Sequence, residues 1–295
     1  MTDSQSLSAL LPGRTVLPIT DPKDPRIAVF RDIREKDLVR RSGFIAEGTV
    51  LLDHLAISDR FRADSLLVLK SRLPGIADRI ERLGSNCPVH VAEREVIDAI
   101  AGFAMHRGVL AFGTEREAPP TLETVVAKAA RAKEPILAAI GIANHDNVGA
   151  LFRNAAAFGV GAVLLDKSAC HPLYRKALRV SVGTVLTTPW HHGGDAETIL
   201  ERVREAGYQP IALTPSAQAT PSSLDSSRPL ALFVGAEGPG LPASVLDQAM
   251  GLAIPMAEHV DSLNVATSAA IVLSRLFEAR QATSVRVRGR RETAR

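Results

Sequence analysis

A chain of 295 residues, 46% hydrophobic and 23% charged, is long enough for about two buried cores, and its composition is that of an ordinary globular protein. No run approaches the roughly 18 uninterrupted apolar residues of a membrane span, and the opening MTDSQS lacks the basic-then-apolar layout of a signal peptide, so a cytoplasmic protein without membrane contact is expected. The net charge of +3 is local: residues 1–120 carry 17 basic and 17 acidic side chains, whereas TSVRVRGRRETAR (283–295) carries five arginines against Glu292. That basic tail reads as a solvated, disordered end or as a phosphate-binding arm.

In chain order, SLLVLK (65–70) and VHVAE (89–93) predict strands, and GIADRIERLG (75–84) and EREVIDAIAG (93–102) predict helices, together a small α/β domain. The proline pair in EREAPPT (115–121) marks a joint near Pro120, after which LETVVAKAARAKE resumes as a helix. Short apolar runs then alternate with helical patterns: 136–142, 162–166, 183–188, 210–214, 230–235 and 252–256. Runs of this length without polar alternation suit strands buried on both faces of a parallel sheet. In such sheets ligands bind outside the carboxyl ends of the strands, so the loops there are where chemistry is sought.

Cys87 and Cys170 stand far apart and outside any C-x-x-C pair. Neither a disulfide framework nor a metal site is indicated, because His90, His171, His191 and His192 do not fall at ligand spacing on a turn or helix face.

Three loops stand out. In NHDNVGALFRNAAAFG (144–159), a helix over 147–158 places Val148, Leu151, Phe152 and Ala155 on one side, while Arg153 shares its side with Gly149, Ala156 and Ala157. That pattern fits a surface arginine, or an arginine facing a cleft through a gap left by small residues. LFVGAEGPGLP (232–242) is a strand entering a glycine-rich turn, where Gly235, Gly238 and Gly240 allow positive φ and close backbone approach. It has neither the Walker pattern nor G-x-G-x-x-G spacing, and Glu237 would repel pyrophosphate, so a cationic or neutral ligand is expected, or none. In IPMAEHVDSLNVATSAAIVLSRL (254–276), Ser262 and Asn264 can cap the following helix, whose Ala266, Ala269 and Ala270 form a face for close packing by another segment or another subunit.

Taken together, NVGALFRNAAAFG, LFVGAEGPGLP and IPMAEHVDSLNVATSAAIVL resemble the three motifs of the SpoU (TrmH-like) RNA ribose 2′-O-methyltransferases of the SPOUT superfamily, in the same order and with similar spacing. LRVSVGT (178–184) looks like a segment carried between the first two motifs, and GFIAEGTVLLDHL (43–55) looks like the start of a small substrate-binding domain. The resemblance implies an α/β fold in which a SPOUT-type parallel sheet with a C-terminal trefoil knot (121–282) follows an L30e-like, RNA-binding α/β domain (1–120, with 1–30 as an extension). It also implies S-adenosylmethionine as cofactor, held largely by backbone at Gly235, Ile254 and Leu263 without metal, and a ribosomal or transfer RNA as substrate. A homodimer is implied as well, with Leu273, Leu276 and Phe277 on a second face of the last helix (264–281). Arg153 would then be catalytic, with Asn147, Glu237, Ser262 and Asn264 orienting the hydroxyl and the loops. A guanidinium rarely releases its proton, so the role expected of Arg153 is positioning and electrostatic stabilisation. A catalytically inactive RNA-binding relative, or a nucleotide-dependent oxidoreductase on a Rossmann-like sheet, are the other readings.

Overall fold

The structure, a computed structural model, describes residues 7, 9–31, 35–41, 43–101, 108–225 and 228–292, with side chains as far as Ala282 apart from that of Ala101. In chain order the elements are β1 (Val16–Ile19), α1 (Glu35–Arg40), β2 (Gly43–Glu47), α2 (Thr49–Ile57), β3 (Phe61–Leu69), α3 (Ala77–Glu81), β4 (Val89–Ala92), α4 (Arg94–Ala101) and β5 (Val109–Glu115). They continue as α5 (Leu122–Ala132), β6 (Ile136–Ile140), α6 (His145–Ala157), β7 (Ala162–Leu165), α7 (Arg175–Val180), β8 (Trp190–His192), α8 (Ala196–Glu205), β9 (Gln209–Leu213), β10 (Leu230–Gly235), α9 (Ala243–Leu246), β11 (Met250–Leu252) and α10 (Val265–Glu292). The chain divides into two units, residues 1–119 with 172–187, and residues 120–171 with 188–295.

The first unit is built on a sheet of order β1-β4-β3-β5-β2. β1, β4 and β3 run parallel, and β5 is antiparallel to both β3 and β2. Ile19, Ile27, Phe30, Ile45, Leu67 and Leu110 form its core, and each such side chain contributes about 1.5–3 kcal/mol on burial.

Residues 172–187 do not form the strand expected over 183–188. Val182 and Gly183 both take positive φ, 55° and 87°, which ends α7 and breaks extended backbone before a 3-10 turn at Thr184–Leu186. Gly183 is required there, because a Cβ would meet the His54 ring at 2.6 Å. The segment is tied to its unit by Ser58 Oγ, which donates to the Leu186 carbonyl at 2.6 Å, and by Arg175 with Glu47 at 3.3 Å. The strand that the sequence signals around position 186 is instead β8, four residues further on.

In the second unit the order is β11-β9-β10-β6-β7-β8, and every pairing is parallel. Successive side chains point to opposite faces. Ile136, Ala138, Ile140, Leu164, Ala212, Ala231 and Phe233 meet Leu122, Val125, Val126 and Ala129 of α5 and Ile199, Leu200 and Val203 of α8. α6 packs against β7 and α10, and α10 against β10, burying Val148, Leu151, Phe152, Ala155, Ala269, Val272 and Leu273. Two helical layers explain why these strands read as unbroken apolar runs.

Three further boundaries differ from expectation. Of the run 252–256 only Leu252 is in a strand, the end of β11 (Met250–Leu252), after which the chain is irregular to Asn264. The segment 75–84 is a 3-10 stretch, Lys70–Ile76, followed by the short α3, since Pro74 removes a helix donor. The last helix runs on to Glu292 instead of ending at 281, so most of the basic stretch continues it; side chains from 283 and residues 293–295 lie outside the described residues.

Candidate active site

The carboxyl edge of the second sheet gathers the loops after β6, β7, β10 and β11. After β6, Gly141 turns with φ +70° and donates its N–H to Asp166 Oδ1 at 2.8 Å, linking the ends of β6 and β7. Asp166 is buried and also accepts from Ala169 N at 3.1 Å and from Ser168 Oγ, so its carboxylate is held by neutral donors. A Cβ on Gly141 would sit 3.4 Å from the Ala236 side chain, which brings the loop after β6 against the loop after β10.

That second loop folds back on itself. Gly240 N donates to the Ala236 carbonyl at 3.0 Å, with Gly238 and Gly240 at φ +92° and +70°. Gly235 keeps negative φ and is needed for a different reason: a Cβ there would lie 2.4 Å from Gly240 C and 2.5 Å from Leu241 N. The returning turn, not a ligand, fills that space. Around Gly238 and Gly240, by contrast, a Cβ would meet nothing within 4 Å, so the tip of the turn presents bare backbone to open space.

α6 and α10 supply the polar side chains. Asn144 caps α6 by accepting from Asp146 N at 2.8 Å, one turn before Asn147. Asn147, buried, donates from Nδ2 to Glu237 Oε1 at 2.9 Å and accepts from Asn264 Nδ2 at 2.9 Å. Asn264 also reaches Glu237 Oε1 at 3.4 Å, and its Oδ1 accepts from Ala266 N at 2.9 Å and Thr267 N at 3.4 Å. One asparagine thus caps α10 and joins three loops. Asn147, Glu237 and Asn264, distant in sequence, are brought together.

Ser262 and Leu263 lie on the exposed approach to α10, and among the described residues Ser262 makes no hydrogen bond, so the cap falls to Asn264 alone. Ile254 is half-buried on the same irregular connection, while Leu263 and Val260 leave 37% and 40% of their surface uncovered. Arg153 stands apart. Six positions beyond Asn147 it is turned about 120° around α6, exposed, and without an ion pair or hydrogen bond among the described residues. Ala156 and Ala157 are exposed beside it, whereas Gly149 is buried.

Asn154, which sequence reasoning passed over, returns to within about 20° of Asn147's face and donates from Nδ2 to the Ala266 carbonyl at 2.8 Å. Its signal was the seven-residue spacing from Asn147. Ala266 and Ala269 are buried where α10 packs on α6, so the small-residue face is used within the chain, as Leu273 and Leu276 are.

Among the described residues no three His, Cys, Asp or Glu side chains converge as metal ligands. His90, His191 and His192 each meet a backbone carbonyl, at 3.0, 3.1 and 3.0 Å, and burial pushes the Cys87 and Cys170 thiols up to about 12. None of the described helices is long and apolar enough to cross a membrane.

An all-parallel sheet with loops converging at its carboxyl edge defines an α/β fold of the class that binds ligands at the strand ends. Comparison with known proteins narrows that class. The SpoU rRNA Methylase family matches residues 134–274. A Mycobacterium tuberculosis protein named as an uncharacterized tRNA/rRNA methyltransferase is 36% identical over 269 residues, 88% of this chain and 91% of its own. The 23S rRNA (guanosine-2′-O-)-methyltransferase RlmB of Nitrosomonas europaea is 30% identical over 190 residues, 63% of this chain and 72% of its own. An AdoMet-bound rRNA methyltransferase from Sinorhizobium meliloti shares the fold with a TM-score of 0.76 at 23% identity, over 90% of this chain and 98% of that one. The chain belongs to the SpoU family of RNA methyltransferases. Its methyl donor is accordingly S-adenosylmethionine, and the site's donor set agrees: bare glycine backbone on the loop after β10, and the uncovered apolar side chains of Val260 and Leu263 on the approach to α10, suit an adenosyl group.

Proposed function

We propose that this protein methylates a ribose 2′-hydroxyl of ribosomal or transfer RNA in the cytoplasm, acting as a homodimer. The observation that carries the reading is the Asn147–Glu237–Asn264 cluster, which fixes the loop after β10 against the N-termini of α6 and α10. The RlmB relative, by its name a guanosine-2′-O-methyltransferase, supports the choice of ribose over base.

S-adenosylmethionine supplies the electrophilic methyl group, with Gly235, Ile254 and Leu263 on the two loops that would hold it. A ribose hydroxyl is a poor nucleophile, so the protein's task is to hold it in line and to stabilise the negative charge that grows as its proton leaves. Arg153 has free donors to bridge that oxygen and a neighbouring phosphate through its planar fork. Ser262, exposed and uncommitted, would orient the hydroxyl, while Asn147, Glu237 and Asn264 hold the loops. Because Arg153 faces away from the cluster, it would serve the site of a second copy; exposed Ala156 and Ala157 leave room for close approach there. Residues 121–282 act as the catalytic domain, whose connection between β11 and α10 we take to pass through a trefoil knot, and 1–120 as an L30e-like RNA-binding domain.

The test is methyl transfer from labelled S-adenosylmethionine to ribosomal and transfer RNA, with 2′-O-methyl positions mapped by resistance to alkaline cleavage. A new resistant position is expected; methylation of a base, or of no RNA, overturns the reading.

A further inference from the structure

The opposite, amino edge of the second sheet carries a cleft of about 150 Å³ that the methyl-transfer site does not use. Its rim is Lys133, Arg228 and Arg280, and its floor includes Pro135, Pro229 and Leu276. The sequence builds it where the chain enters two neighbouring strands. Lys133 caps α5 in the left-handed region at φ 53°, turning the chain sharply into β6, and Arg228 and Pro229 lead directly into β10.

Arg280 is anchored from α10 by donating to the Gly159 carbonyl at 3.3 Å and the Lys133 carbonyl at 3.4 Å, which uses two of its five N–H donors. Lys133 and Arg228 are exposed, and among the described residues the side chain of neither has a hydrogen bond or ion pair. Among the described residues no carboxylate lines the cleft. The adjacent Glu134 lies over Gly161, where a Cβ would meet its Oε2 at 2.8 Å. Three like charges held around an apolar floor repel one another until an anion joins them. An anion with a flat or apolar body would satisfy both rim and floor.

We propose that this cleft binds a phosphodiester of the RNA substrate, with a ribose or base resting on the proline and leucine floor, remote from the edge where methyl transfer occurs. The inference rests on the reading of the chain as an enzyme of RNA. RNA is preferred to a free nucleotide because α10 continues from Arg280 to Glu292 through Arg286, Arg288, Arg290 and Arg291, which extends the basic sequence well beyond one phosphate.

The test is filter binding of in vitro ribosomal RNA transcripts across a potassium chloride series, for the full chain and for Lys133→Gln and Arg228→Gln. Each variant is expected to weaken binding by about two- to ten-fold and to lower the slope of log affinity against log salt by about 0.7–0.9, as for one lost phosphate contact. Lys128→Gln, on the exposed side of α5 outside the cleft, should leave both unchanged, and all three should keep the wild-type melting temperature and S-adenosylmethionine affinity. Wild-type affinity and slope in both cleft variants overturn the proposal. So does tight binding of guanosine 5′-monophosphate that Arg228→Gln abolishes without weakening RNA. A wild-type chain that binds S-adenosylmethionine but no RNA would instead refute the RNA reading itself, and this inference with it.

Discussion

Asn147 donates from Nδ2 to Glu237 Oε1 at 2.9 Å, joining the first turn of α6 to a glycine turn 90 residues further along the chain. Glu237→Ala removes the acceptor shared by Asn147 and Asn264. A buried donor left unpaired costs about 1–3 kcal/mol, so the melting temperature should fall and S-adenosylmethionine affinity should weaken as the turn loosens. Glu237→Gln keeps an acceptor oxygen and should recover most of the stability. Calorimetry on both variants decides; equal losses in the two would show that charge, not the hydrogen bond, holds the loop.

Asn264 and Ser262 are two residues apart yet should behave differently. Asn264→Ala deletes the α10 cap and the partner of Asn147 Oδ1, for a loss of about 0.5–2 kcal/mol from the cap alone. Ser262→Ala breaks no described bond and should melt as wild type while lowering the single-turnover methylation rate, if its hydroxyl orients the substrate. A Ser262→Ala enzyme with full activity removes Ser262 from the site.

Much of this was readable beforehand because each signal was local. Unbroken apolar runs marked β6, β7, β9 and β10, and the amide before the alanine-rich helix marked the cap that Asn264 makes. What escaped depended on tertiary context. The run at 183–188 has β-branched residues that suit a strand, but Val182 and Gly183 at positive φ turn it instead, held by Ser58 and His54 from 128 or more residues away. Asn154 shares a helix face with Asn147 by its spacing, but its partner, the Ala266 carbonyl, and that of Asp166, the Gly141 N–H, lie on other segments. Ala266, Ala269, Leu273 and Leu276 of α10 are buried within the same chain, one of the two packings that its small-residue face allowed.

Gly235 and Gly240 separate two meanings of glycine in one turn. Gly235→Ala places a methyl 2.4 Å from the Gly240 carbonyl carbon, so the turn must open; S-adenosylmethionine binding should be lost with a marked drop in stability. Gly240→Ala has open space and only a left-handed φ of +70° to overcome, a penalty of roughly 1–2 kcal/mol. Titration calorimetry and thermal melts should rank Gly235→Ala as the more damaging; the reverse order would mean that the turn adopts another path in solution.

Burial raises the Cys87 and Cys170 thiols from 9.0 to about 12, and Tyr208 from 10.0 to about 12. The folded chain therefore keeps protons that the unfolded chain releases. That contribution to stability is complete below about pH 9 and is lost as pH rises toward 12. Melting temperature should decline across that window, and iodoacetamide at pH 8 should label both cysteines slowly until denaturant is added. Rapid labelling of the native protein would contradict the burial.

Arg153 gives the sharpest test of the catalytic reading, because its exposure without a partner makes it dispensable for the fold. Arg153→Ala should change stability by no more than about 0.5 kcal/mol, while cutting the single-turnover rate by roughly 10²–10³, the loss typical of one electrostatic contact to a developing oxyanion. S-adenosylmethionine affinity should hold. Arg153→Lys should restore little, since an ammonium cannot bridge phosphate and hydroxyl through a planar fork. If the arginine serves the site of a second copy, Arg153→Ala mixed with Asn264→Ala should regain activity that neither has alone, through mixed dimers holding one intact site. Sedimentation should show the dimer at micromolar concentration. A monomer with full activity, or wild-type rates in Arg153→Ala, would return Arg153 to an ordinary solvent-facing side chain and leave the oxyanion to another group.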